Sequence, residues 1–148
     1  MRFNQQAISR TQKRLKLRDD LEVLITALPI GHEKKLNAIF PMPIPPSITI
    51  NRVGGKSEEK LNFNDPKYRA DVEAYEMART AFTVHLVLSQ DPGISFDHQP
   101  ATKDGLIALF HEMTESGLTE GELGRILKEV VNISGLSQDD IDKAKENF

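Results

Sequence analysis

A run of prolines in the first third of the chain constrains the fold more than any other feature. Four of the six residues at 41–46 are proline, and each proline fixes φ and lacks a backbone amide donor. The run therefore cannot form a helix or a central strand. We expect an extended, polyproline-type segment that serves as a stiff spacer, or alternatively as a ligand for a proline-binding groove.

The residues before the prolines predict a β-hairpin followed by a short helix. Residues 21–28 are rich in branched apolar side chains, which favours a strand, and residues 14–18 are expected to pair with them. Asp19 and Asp20 lie between the two segments, where they would form the turn. Residues 31–40 have apolar side chains at helical spacing and predict a short helix.

A second hairpin is predicted directly after the prolines. Residues 47–53 alternate between apolar and polar side chains, as a half-buried strand does. Gly54 and Gly55 suit a two-residue turn, because glycine tolerates the positive φ that such turns need. Residues 56–62 would be the return strand, so this region predicts a small antiparallel element and not a large sheet.

The longest predicted helix covers residues 66–89. Asp65 can cap its free amides, and Pro66 fits the first turn, where its missing donor has no consequence. Residues 81–88 are apolar nearly all round the helix, which indicates burial. We expect His85, within this stretch, to be a core histidine satisfied by one hydrogen bond.

Three shorter helices are predicted in the C-terminal third. The first covers residues 103–115. Thr119 and Glu122 have the spacing of a capping box and would begin the second helix, which Gly135 would end. A similar start signal predicts a final helix over residues 137–148.

Together these patterns predict a mainly α protein with a small N-terminal antiparallel β element, an α+β fold with one long central helix. The domain boundaries are placed at the residues that begin or end the predicted elements. Residues 1–18 are expected to be a basic, flexible arm. Residues 19–96 would hold the β element, the proline-rich spacer and the long helix, and residues 97–148 a C-terminal helical subdomain.

Charge and composition narrow the classes of function. Residues 1–18 carry six basic groups and no acidic one, whereas residues 97–148 have a net charge of −6. The basic arm could meet nucleic acid or an acidic protein surface, or could be a solvated terminus. The chain has no cysteine, which removes disulfides and thiolate chemistry. Without a signal-peptide pattern or an apolar run of ~20 residues, a cytoplasmic protein is expected.

No motif predicts an active site, a metal or a cofactor. The Gly-Lys-Ser sequence at 55–57 resembles the end of a phosphate-binding loop, but Ile50 stands where that loop needs a glycine. His111 has Glu115 where a helical zinc site would place its second histidine. The aspartates within residues 139–142 lack the glycine of a calcium loop. We therefore expect a protein that is not an enzyme.

Several segments together resemble small proteins encoded in the tail-morphogenesis region of long-tailed bacteriophages. The similar segments are residues 28–33, the proline run with its preceding phenylalanine at 40–46, and the helix entry at 64–70. The resemblance covers roughly residues 20–96. It implies a tail assembly chaperone, a non-catalytic protein that keeps the tape measure protein soluble and recruits tail tube subunits in the host cytoplasm.

A chaperone for a helical client needs an exposed apolar groove. The final three helices could supply one, although their apolar side chains could equally pack against each other. Two other functions stay open: a structural virion component such as a connector or tail protein, and a nucleic-acid-associated protein that binds through the basic arm. Self-association of the chain stays open as well. The candidate partner-binding residues are Leu106, Phe110, Leu123, Leu127 and Val130.

Overall fold

The computed structural model describes residues 10–135 in full and the backbone of residues 2–3 and 6–7. The predicted final helix and the aspartates within residues 139–142 lie outside this part of the chain. None of the described helices has both the length and the apolar character needed to cross a bilayer. The elements are, in chain order, β1 (Arg2–Phe3), β2 (Gln6–Ala7), β3 (Gln12–Arg18), β4 (Leu21–Thr26), α1 (His32–Ile39), β5 (Ser47–Asn51), β6 (Ser57–Leu61), α2 (Pro66–Leu88), α3 (Lys103–Glu115) and α4 (Glu120–Ile133).

This architecture confirms the predicted α+β class, with four helices and small antiparallel strand pairs among the described residues. The first substantial pair is β3 with β4, where Leu15 lies opposite Val23. Leu15 and Leu17 alternate with charged residues and are buried. The predicted pairing of residues 14–18 with the strand from residue 21 is confirmed. Residues 12–18, which were also placed within a basic, flexible arm, form a strand because their alternating leucines reach an apolar layer.

The second substantial pair is β5 with β6, as predicted, but its turn differs. The Gly55 amide donates to the Arg52 carbonyl, so the turn runs from Arg52 to Gly55 and is not the two-residue Gly54-Gly55 turn. Both glycines keep positive φ values of 105° and 82°. A side chain would strain the backbone at either position.

The helices begin and end close to the predicted residues. The Asp65 carboxylate accepts the Tyr68 amide at 2.9 Å, which caps α2. Thr119 and Glu122 form the full capping box of α4. Gly117 has a φ of 103° after the end of α3, a left-handed conformation that favours glycine.

Two apolar clusters hold the helices and the β3–β4 hairpin together. The smaller cluster joins α1, α2 and α3 and includes Leu36, Tyr75 and Leu106. The larger cluster combines side chains of β3, β4, α2, α3 and α4, including Ile25 and Ile126. Its residues therefore come from both sides of residue 97, where the sequence predicted the start of a C-terminal helical subdomain.

Candidate partner-binding surfaces

The five predicted partner-binding residues do not share one surface. Leu106 is buried in the smaller cluster, whereas Leu123 and Val130 are buried in the larger one. Phe110 and Leu127 are half-buried against the larger cluster. The single groove predicted from all five residues therefore does not form, and most of the apolar face of the C-terminal helices is core.

For Leu123 and Val130 the cause is the β3–β4 hairpin, which covers one side of α4. The Arg125 guanidinium donates to the carbonyls of Leu17 and Lys16 at 2.9 and 2.7 Å. Lys13 pairs with Glu129 at 2.7 Å. Basic groups that the sequence assigned to a free arm thus contact α4, which reduces the positive charge available to nucleic acid.

A different groove lies between α2 and α4, and we call it the α2–α4 groove. It has a volume of about 290 Å³. Each helix contributes lining side chains at helical spacing, and residues between β4 and the first turn of α1 also line the groove. Its lining residues are Leu28, His32, Glu33, Glu76, Arg79, Thr80, Thr83, Leu127, Val130 and Val131.

The α2–α4 groove has an apolar wall and a charged rim. Leu127 and Val131 are half-buried, so part of the apolar wall is open to solvent. Glu33 and Arg79 pair across the rim at 2.8 Å, with both side chains about half exposed. Protein interfaces likewise combine an apolar centre with a polar border.

A second cavity of about 320 Å³ lies among the β3–β4 turn, the end of α2 and the segment joining α3 to α4. Its walls are largely apolar, with Leu21, Phe96 and Met113 among them. Arg18 lies at its edge, donates to the Gly117 carbonyl at 2.8 Å and forms an ion pair with Glu122. This cavity was not predicted, because it depends on contacts between distant parts of the chain.

The Arg18–Glu122 pair ties β3 to the first turn of α4. The hydrogen bond from Arg18 is the main cause that lowers the pKa of the Glu122 carboxyl to about 2. The Thr119 amide also donates to this carboxylate at 3.0 Å, as the capping box requires. Glu122 therefore caps a helix and binds a strand with the same charged group.

Two histidines, His98 and His111, lie near acidic side chains of α3. His98 contacts Glu112 at 2.7 Å. Burial alone would raise the pKa of the Glu112 carboxyl, but hydrogen bonds from His98 and from the Asp97 amide lower it on balance. His111 and Glu115 border the same shallow surface. Among residues 10–135, no three His, Cys, Asp or Glu side chains are placed to hold a metal ion.

His85 differs from its prediction. Its ring is half-buried, with its centroid 4.9 Å from that of Phe96. Burial lowers the pKa of His85, against an opposing effect of the nearby Glu112 charge. Its Nδ1 atom is buried and has no hydrogen-bond partner among the described residues. The expected hydrogen bond is therefore not made at this nitrogen.

The phosphate-loop-like sequence lies on an exposed hairpin. Gly55 belongs to the turn, and Ser57 is the first residue of β6. All three residues of the Gly-Lys-Ser sequence are exposed, and no helix follows them directly, so the helix N-terminus that binds phosphate in such loops is missing here.

Comparisons with known proteins do not identify the chain. No protein-family model matches it, and neither a curated protein nor a solved structure is significantly similar to it. What the chain binds must therefore be inferred from its own surfaces.

Proposed function

We propose that this chain is a non-catalytic chaperone of bacteriophage tail assembly. Its α2–α4 groove would hold an apolar face of the helical tape measure protein in the cytoplasm of the host. The observation that carries the proposal is the groove itself, which combines an open apolar wall with a charged rim. The phage client comes from the sequence resemblance over residues 20–96.

A helix is the occupant that suits the α2–α4 groove best. An amphipathic helix binds such a groove through apolar side chains at i, i+3 or i+4 and i+7. The groove offers Leu127 and Val131, one turn apart on α4, with Thr80 and Thr83 facing them from α2. Thr80 and Thr83 are small side chains, so aliphatic side chains of a client could enter beside them.

The small size of the groove supports a transient contact. Stable protein interfaces bury roughly 1,200–2,000 Å², and smaller contacts are typical of short-lived complexes. A groove of about 290 Å³ takes only a few side chains. A chaperone must release its client when the tail assembles, and a weak single contact permits this release.

The proposal is tested by coexpressing the chain with the tape measure protein encoded near it. Leu127→Lys places a charge on the apolar wall, and Thr80→Lys fills the groove from the opposite helix. Both changes are expected to reduce the soluble, co-purified tape measure protein severalfold. Val53→Lys is the matched control, because Val53 is fully exposed in the hairpin turn, away from the groove.

Thermal unfolding of each variant separates binding from stability. Thr80→Lys is expected to keep the melting temperature near that of the parent chain, since Thr80 is only half-buried. A parent chain that does not retain the tape measure protein would contradict the proposal. Retention by both groove variants at the level of the Val53→Lys control would contradict it equally.

A structural virion protein is the second candidate, and exposed apolar side chains favour it. Met42, Ile44, Ile48, Leu61 and Phe63 are between 42% and 85% exposed along the proline segment and the second hairpin. Exposed apolar residues in succession can mark a permanent interface. Mass spectrometry of purified virions distinguishes the two functions: a chaperone is absent, whereas a structural protein is present in fixed copy number.

A further inference from the structure

The outer edge of β5 presents backbone groups that no strand of the described residues pairs with. The hairpin register pairs Thr49 with Glu59 and Asn51 with Ser57. On either side of the ladder, the Asn62 amide donates to the Pro46 carbonyl at 2.7 Å and the Arg52 amide to the Lys56 carbonyl at 3.0 Å. Hydrogen-bonded positions alternate along an antiparallel strand. The amides and carbonyls of Ser47, Thr49 and Asn51 therefore point away from β6.

No strand in the described part of the chain pairs with this edge of β5. Natural proteins protect free edges with charged side chains or proline, because an unprotected edge is a template for pairing. The opposite edge is protected in this way, since β6 carries Glu58, Glu59 and Lys60. The edge of β5 has no such protection, because Ser47–Asn51 contains no charged residue.

The β5–β6 hairpin also has little support from the rest of the molecule. None of its residues belongs to either apolar cluster of the described chain. An isolated two-stranded hairpin is at best marginally stable in water, and three or more strands are needed for independent stability. A further strand at the free edge of β5 would supply this support.

We infer that β5 pairs with β5 of a second copy of this chain, antiparallel and centred on Thr49, to form a four-stranded sheet. The sequence of β5 is Ser-Ile-Thr-Ile-Asn, which reads polar, isoleucine, threonine, isoleucine, polar in both directions. A two-fold axis requires such a self-complementary surface. This self-complementary pattern favours a second copy over an unrelated strand as the occupant of the edge.

The register follows from the outward-facing groups. Thr49 lies opposite Thr49 of the partner subunit, and Ser47 lies opposite the partner's Asn51. These pairs exchange about six backbone hydrogen bonds. Ile48 lies opposite the partner's Ile50 in a pair without backbone hydrogen bonds, where side chains are closest. The four isoleucines then form one apolar patch of two adjacent pairs around the two-fold axis.

The charged side chains of β6 lie outside this isoleucine patch. Within each hairpin Lys60 lies opposite Ile48, and Glu58 lies opposite Ile50. In the four-stranded sheet, each line of side chains across this face therefore contains Lys60, Ile48, the partner's Ile50 and the partner's Glu58, in that order. No like charges meet at the dimer contact, and the charged strands form the two outer edges.

The mass of the chain in solution, measured by light scattering and sedimentation at rising concentration, tests the inference. The expected result is a reversible dimer with twice the chain mass of 16.6 kDa. Thr49→Lys and Thr49→Glu each place two like charges at the two-fold axis and should weaken the dimer at least about tenfold. Mixing the two variants should restore a dimer, because opposite charges then face each other.

Proline variants identify which edge of the β5–β6 hairpin forms the dimer contact. Thr49→Pro removes the outward amide of β5, whereas Glu59→Pro removes the corresponding outward amide of β6 and is the matched control. Dimerisation is expected to be lost in the first variant and kept in the second. A parent chain that is monomeric at its highest soluble concentration would overturn the inference. So would a dimer that survives Thr49→Lys, or a mixture of charge variants that stays monomeric.

Discussion

The core that the β3–β4 hairpin shares with the helices allows a quantitative prediction for Ile25. This β4 residue is fully buried in the larger cluster, which also contains side chains of α2, α3 and α4. Ile25→Ala removes three carbon atoms, which costs about 2.4 kcal/mol in transfer free energy at about 0.8 kcal/mol per group. The cavity left behind raises the expected loss in unfolding free energy to about 3–4 kcal/mol.

The assay is urea unfolding followed by the circular dichroism of the helices. If the β3–β4 hairpin and the helices unfold as one unit, the whole helical unfolding transition shifts to a lower urea concentration. The slope of the unfolding free energy against urea concentration stays unchanged. The melting temperature should fall by about 10 °C for a chain of this size. The helical signal reports on the helices α2, α3 and α4, although the substitution is in a strand.

Ile48→Ala is the matched control. Ile48 also lies in an antiparallel strand, but it is 42% exposed and outside both clusters. Its substitution should change the unfolding free energy by less than about 1 kcal/mol in the monomer. An Ile25→Ala chain whose helices unfold at the parent urea concentration would refute the shared core. Two separate transitions would do the same.

Two further predictions concern helix glycines and the strand-to-helix ion pair. Gly124→Ala should stabilise α4 by about 0.5–1 kcal/mol, because an added Cβ meets no atom within 4 Å. Gly105→Ala should destabilise the chain, because its Cβ would overlap the Gln99 carbonyl oxygen; thermal unfolding measures both glycine variants. The lowered pKa of Glu122, about 2 against an ordinary 4.5, gives stability that is present above pH 4.5 and lost as the pH falls towards 2. Glu122→Gln keeps the capping geometry, so its urea midpoint should fall less than that of the parent chain over this pH range; an equal fall would exclude the ion pair as the cause.

Local signals in the sequence predicted the elements well. The caps at Asp65 and Thr119 mark the starts of α2 and α4, and the bounds of α3 agree with the predicted 103–115. These features depend on residues within a few positions of each other, so a single sequence contains them. The second hairpin was predicted for the same reason, although its turn begins at Arg52.

Contacts between distant residues were not predictable in this way. The apolar stripe of α4 showed that Leu123 and Val130 face an apolar surface, but periodicity does not say whether that surface belongs to the same chain. The structure shows that β3, whose Leu17 carbonyl accepts from Arg125, lies over α4. The candidate groove was therefore misplaced: of its five predicted residues, only Leu127 and Val130 line the α2–α4 groove.

The two proposed surfaces would act together on a long helical client. They lie on separate elements, since β5 forms no part of the α2–α4 groove. A dimer paired through β5 presents two such grooves, and once one groove is occupied the second engagement becomes intramolecular. Retention of the client then depends on the geometry of the pair, so that single contacts can stay weak enough for release. A short peptide with one helical face should bind the Thr49→Lys monomer as well as the dimer, because it engages only one groove. A long client should be retained less well by the monomer.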